Sequence, residues 1–172
     1  MIGRTLAVLA LAGVLAGCED SGVSELQRRA FFSAKDLIQM DRAGGVFVEV
    51  HGVPWEGARP EEIAGTLRMP KGPARQVRFR LIPAGQGLIG SGNRLVLHFN
   101  PAGKPDSTAD CRTQEPLPAG APESGSFTVN ASFCEGDDWI IRAFMQADVD
   151  QNDWLGYYLA MEELLGKMFP TR

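Results

Sequence analysis

Histidine and cysteine are scarce in this chain of 172 residues, which holds two of the first and three of the second. His51 and His98 stand far apart with no further ligand at short spacing, so they do not make a metal motif. No Cys-x-x-Cys pair is present, which removes the usual spacing of a redox-active dithiol. No G-x-S-x-G elbow marks a serine nucleophile, and no internal repeat points to a solenoid or propeller. Positive charge is in deficit, with 17 Lys and Arg against 21 Asp and Glu, for a net charge of −4. Such a chain is a poor partner for nucleic acid. No apolar run reaches the roughly twenty residues that a bilayer core demands.

What apolar run there is lies at the start. One basic residue, Arg4, precedes "TLAVLALAGV", and the small residues Ala16 and Gly17 lead to Cys18. A basic start, about ten apolar residues and a small-residue end make a secretory signal. A short buried helix explains the stretch less well, because it would be apolar on every side and weakened by Gly13 and Gly17.

The tetrad "LAGC", Leu15 to Cys18, resembles the lipobox of bacterial lipoproteins. The resemblance implies that the Cys18 thiol receives a diacylglycerol. It also implies that residues 1–17 are cut away and that the new amino terminus is acylated. Two or more acyl chains hold a protein stably on a membrane, where one holds it only marginally. In that family an aspartate directly after the cysteine favours the inner membrane. Here the position is Glu19, with Asp20 one later, so the resemblance points to the periplasmic face of the outer membrane. Parts of the body, "FVEVHGVPW", "RLVLHFNP" and a final "FP", resemble small envelope lipoproteins, and that likeness implies no activity.

With Cys18 carrying lipid, Cys111 and Cys134 remain, and an even pair in an oxidising compartment reads as one disulfide. The chain then divides into a signal segment 1–17, a lipidated cysteine with a short linker 18–23, and one domain 24–172. The size suits a single core. "SELQ" at 24–27 has the form of a capping box and predicts a helix through Ile38, stopped by Gly44 and Gly45. Strands are expected at 46–51, 75–82, 94–99, 126–134 and 139–149, with a short helix at 59–70. A last amphipathic helix over 153–169 shows Trp154, Tyr158, Met161, Leu165 and Met168 on one face. The stretch 101–125 reads as a long loop carrying Cys111, and the disulfide as a tie across the solvent side of the sheet. The expected class is α+β, an antiparallel or mixed sheet of about five strands against two or three helices on one face.

The remaining motifs are weak. "GQGLIG", 85–90, fits G-x-G-x-x-G, but strand rather than helix follows it, so it reads as a connection between strands. "DVDQND" offers Asp148, Asp150 and Asn152 at calcium-loop spacing. The sixth place is Asp153 instead of glycine and the twelfth is Leu159 instead of glutamate, so a turn in which Asp150 or Asn152 caps the last helix explains it better. His51, His98 and Asp106 or Asp110 are the conceivable metal or acid–base set. Arg75, Arg78 and Arg80 form a basic stripe, wider if Arg142 lies beside it, that reads as a charged face in salt bridges. Glu162 and Glu163 read as a solvated helix face.

The functional expectation is a membrane-anchored envelope lipoprotein, not an enzyme and without a cofactor, that serves as an interaction or accessory protein. Its partners would be the membrane through Cys18 and another envelope protein. The alternative is a periplasmic binding module for a small apolar or lipid ligand.

Overall fold

A computed structural model describes residues 22–83, 92–103, 106–112 and 115–171. The signal segment, Cys18 and "GQGLIG" lie outside those residues. In chain order the elements are β1 (Gly22–Arg28), α1 (Ala34–Arg42), β2 (Val46–His51), α2 (Pro60–Thr66), a 3-10 turn (Pro73–Gln76), β3 (Phe79–Ile82), β4 (Asn93–Phe99), α3 (Ser107–Arg112), β5 (Phe127–Glu135), β6 (Asp138–Ala147) and α4 (Trp154–Met168). The six strands form one mixed sheet in the order β1-β6-β5-β4-β2-β3. β2 runs parallel to both β3 and β4, and the other pairs are antiparallel. The class is α+β as expected, with one more strand and one more helix.

The extra strand comes from the stretch read as the first helix. Residues 22–28 pair with β6, Ser24 opposite Phe144 and Arg28 opposite Ile141, inside the stretch read as linker and helix start. The capping pattern "SELQ" is a local signal, and the open edge of β6 overrides it with ladder hydrogen bonds. The cap in use lies nine residues later. The Ser33 amide and hydroxyl both donate to Asp36 Oδ2, each at 2.7 Å. These bonds, the hydroxyl's first, hold the Asp36 carboxyl below its usual range.

β3 and β4 are not the neighbours their order suggested, because β2 lies between them. Connecting parallel strands takes a crossover, and α2 with the 3-10 turn supplies it between β2 and β3. Pro60 opens α2, and the helix ends at Thr66 and not at 70, because Leu67 is already extended. β5 and β6, the strands expected at 126–134 and 139–149, form a hairpin. Glu135 faces Asp138 across a two-residue turn, and Gly136 supplies its positive φ of 59°.

One face of the sheet carries Val46, Val48, Val50, Leu95, Leu97, Phe99, Phe127, Val129, Ala131 and Phe133, all buried. Helix α4 covers it with Tyr157, Met161, Leu164, Leu165 and Met168. The buried stripe is set by Tyr157, not Tyr158. The Tyr158 hydroxyl turns outward to accept from Arg75 and donate to Glu162, each at 3.2 Å. Tyr157 sits among Trp55, Trp154, Phe99 and Phe127, with ring centroids 5.6–6.2 Å away. Burial pushes its phenol well above the ordinary range, and the Thr66 hydroxyl opposes the shift. Each such aromatic or aliphatic side chain contributes about 1.5–3 kcal/mol by leaving water. The cap of α4 is Asp153, which accepts from the Gly156 amide at 2.9 Å, and neither Asp150 nor Asn152 takes that role.

Candidate functional site

The other face of the sheet was expected to meet solvent, and its central part does not, while Arg80 and Gln146 at its flanks are exposed. Strand pairing puts Glu49 opposite Val96, His51 opposite His98, His98 opposite Asn130, Val96 opposite Ser132, and Arg94 opposite Cys134. All of these side chains are buried. What covers them is the segment read as a long loop. It contains helix α3, which packs on β4, β5 and β6 on the side away from α4. So the helices are not confined to one face.

Cys111 and Cys134 are joined by a disulfide, which pins α3 to β5. The tie crosses a face that it helps to seal, and both cysteines are buried with Val96 and Trp139. Trp139 is roofed in turn by the guanidinium groups of Arg29 and Arg142, 3.8 and 4.7 Å from its ring centroid.

Two polar groupings lie beneath. In the first, Arg94 Nε is 3.3 Å from Glu49 Oε2, and its two terminal nitrogens donate to the Gly136 and Cys111 carbonyls at 2.9 and 2.5 Å. The Leu117 amide donates to His51 Nδ1 at 2.9 Å. The proton of a neutral His51 ring is therefore on Nε2, which stands 3.0 Å from Glu49 Oε1. In the second grouping, Asp110 Oδ2 accepts from Asn130 Nδ2 at 2.5 Å and from Ser132 Oγ at 2.9 Å. His98 Nε2 lies 3.1 Å from the Pro118 carbonyl, which only accepts, so that nitrogen carries a proton. Its Nδ1 faces Asp110 Oδ1 at 3.5 Å. The two histidine rings meet edge to face, with centroids 6.1 Å apart.

The chemistry of this arrangement follows from who donates to whom. Ser132, Asp110 and His98 are the residue types of a hydrolytic triad in the wrong order. The serine proton goes to the carboxylate, and no imidazole nitrogen is bonded to Oγ. Ser132 and Glu49 are fully buried, and Asp110 is nearly so. The groups brace α3 and residues 115–120 on the sheet. Charge-assisted bonds of this kind are about twice as strong as neutral ones.

The structure thus unites His51, His98 and Asp110, while Asp106 goes elsewhere and accepts from the Thr108 amide at 2.9 Å. Among the described residues, no group of three or more His, Cys, Asp or Glu is placed to hold a metal ion. Asp148, Asp150 and Asn152 lie in an exposed turn between β6 and α4, where Asn152 adopts a φ of 66° and the Asp150 carbonyl accepts from the Asp153 amide. Arg142 is remote from the basic stripe and binds Gln27 through Nε and a terminal nitrogen at 3.1 and 2.8 Å. Arg78 pairs with Asp41 at 3.2 Å. No family model, curated protein or solved structure matches the chain.

Glu49, Arg94, Asn130 and Ser132 escape a reading based on alternation, which assigns the polar side of a strand to water. The signal that reveals them is Cys134. A disulfide partner on the polar face means that the other end of the tie, and the chain around it, lies over that face.

Proposed function

We propose that the protein is an envelope lipoprotein, anchored through Cys18 at the periplasmic face of the outer membrane, that works by binding another envelope protein and not by catalysis. The observation that carries the reading is the fate of its reactive side chains: His51, His98, Asp110, Ser132, Glu49 and Arg94 are buried and committed to bracing α3. The anchor rests on the "LAGC" tetrad and on the closeness of Cys18 to Gly22, where the domain's first strand begins. The surface offered to a partner is at the opposite edge of the sheet. There β3 pairs, among the described residues, with β2 alone, and a strand at a sheet edge is a template for pairing with another chain.

Cells fed labelled fatty acid should transfer label to the wild-type protein and lose it in Cys18→Ser. Label that persists in the variant sinks the anchor. A photo-crosslinking residue placed at position 80 on β3 should capture another envelope protein in cells. Equal capture from Glu135, at the far hairpin, would remove the assignment of the β3 edge.

A second reading is supported by a groove of about 380 Å³ between α1 and the 3-10 turn. Ala34, Ile38, Pro73 and Ala74 line it, together with the exposed Lys35 and Lys71. An apolar lining with two ammonium groups suits a fatty acyl chain with an anionic head. A fluorescent fatty acid should bind and be weakened at least severalfold by Lys35→Glu/Lys71→Glu, a reversal of both charges. Binding that ignores the reversal would count against this groove.

A further inference from the structure

Among the described residues, the large apolar side chains most open to water are Phe31, Leu155 and Leu159, at 53%, 68% and 54% exposure. Leu155 and Leu159 stand one turn apart on α4 and so lie side by side. They are also next to the place where the chain enters the domain. Gly22, the first residue of β1, lies opposite Gln146 near the turn into α4, and it lines one shallow groove with Gly156, Leu159 and Ala160.

We infer that Leu155 and Leu159 enter the interfacial layer of the bilayer that holds Cys18, so that α4 is a second, peripheral point of membrane contact. The inference rests on the anchor proposed above. Gly22 lies four positions after Cys18, and at full extension those four steps reach at most about 14 Å. The acylated cysteine must sit within the headgroup region, which is roughly 5–8 Å thick on each side of the hydrocarbon. A tether this short holds the groove around Gly22, and Leu159 within it, at the lipid surface. Exposed leucines on a helix face held there bury their apolar area in the headgroup and acyl boundary.

The charges around the pair select the kind of lipid. Asp148, Asp150 and Asp153 are exposed on the neighbouring turn, and Glu163 pairs with Lys167 at 2.7 Å. Aspartates repel an anionic surface and attract the ammonium of an ethanolamine headgroup. The occupant is therefore a bilayer rich in zwitterionic lipid, with phosphatidylethanolamine as the probe.

The test uses the full acylated protein in vesicles of phosphatidylethanolamine and phosphatidylcholine. In Leu155→Cys and Leu159→Cys the new thiol carries an environment-sensitive fluorophore, since Cys18 is blocked by lipid and Cys111 and Cys134 are bonded. Glu135→Cys, at the opposite end of the hairpin from Gly22, is the control. Intact mass reads the anchor first, and a protein without acyl chains overturns both the anchor and this inference. With the anchor in place, labels at 155 and 159 should shift to the blue and be quenched by lipid-borne nitroxide, and the label at 135 should not. Replacing the ethanolamine lipid with phosphatidylglycerol should diminish the quenching. Labels at 155 and 159 that aqueous iodide quenches as readily as at 135 would overturn the inference alone. So would labels shielded from both quenchers, which would mean that a protein or a second copy of this chain covers the pair.

Discussion

Arg94→Ala should cost the domain about 3–5 kcal/mol, read as a lower urea midpoint at unchanged slope. That is a large part of the 5–15 kcal/mol by which domains are typically stable. Arg94 is fully buried, and one side chain serves the Glu49 carboxylate and the carbonyls of Gly136 and Cys111. Truncation removes the guanidinium that balances a carboxylate with no exposure to water. It also strips a donor from two carbonyls, each worth about 1–3 kcal/mol when left unmet. The double variant Glu49→Leu/Arg94→Met separates these effects. An ion pair replaced as a unit by apolar groups is often neutral, whereas breaking it is costly. The double variant should therefore recover part of the loss, less the shares owed to the two carbonyls and to His51 Nε2, which faces Glu49. If it is as unstable as Arg94→Ala, those contacts and not the ion pair account for the loss. If Arg94→Ala costs under about 1 kcal/mol, water reaches the cluster and the sealed face is wrong.

How much of this was legible in the sequence depends on the range of the signal. Val46 to His51 and Phe127 to Cys134 announce themselves by β-branched or alternating residues, and both are strands. Pro60 and the acidic pair behind it announce α2. Pairing of Cys111 with Cys134 follows from arithmetic once Cys18 is set aside, and the disulfide is there. Failures came where a distant partner decides. Ser24 and Gln27 satisfy a local helix rule, but the edge of β6 claims them. Tyr157 outranks Tyr158 because Trp55 and Phe127 are on its side. Asn130 and Ser132 read as a wet face because alternation cannot see a loop that folds back. That loop reads as featureless because α3 is only six residues long, too short to form by its own propensity. Its existence depends on Asp110 and Cys111 meeting β5. The polar cluster is thus a tertiary fact, visible in sequence only through the cysteine that shares its face.

Removing the disulfide, as Cys111→Ala/Cys134→Ala, should cost roughly 3 kcal/mol from the freedom regained by the unfolded chain. The bond spans 23 residues. In this fold a second consequence follows, and it can be measured apart from the first. With the bond intact, α3 cannot lift, so Asp110→Ala takes the carboxylate from Asn130 Nδ2 and Ser132 Oγ in a buried layer that water does not readily enter. Without the bond, α3 is held mainly by those same contacts and by the Arg94 bond to the Cys111 carbonyl. Losing Asp110 then lets the helix rise, and water satisfies the stranded groups. Asp110→Ala should therefore cost less in the disulfide-free protein than in the bonded one. The difference should fall in the range of about 0.5–3 kcal/mol found for residues sharing a network. Hydrogen exchange supplies the structural readout. Amides of 107–112 should lose protection on removal of the disulfide by more than those of β2, which the loop does not contain. Strictly additive costs, with uniform loss of protection, would mean that the crosslink acts through the unfolded chain alone. A positive coupling would make the disulfide the latch of the polar layer, and Asp110 the group it keeps in place.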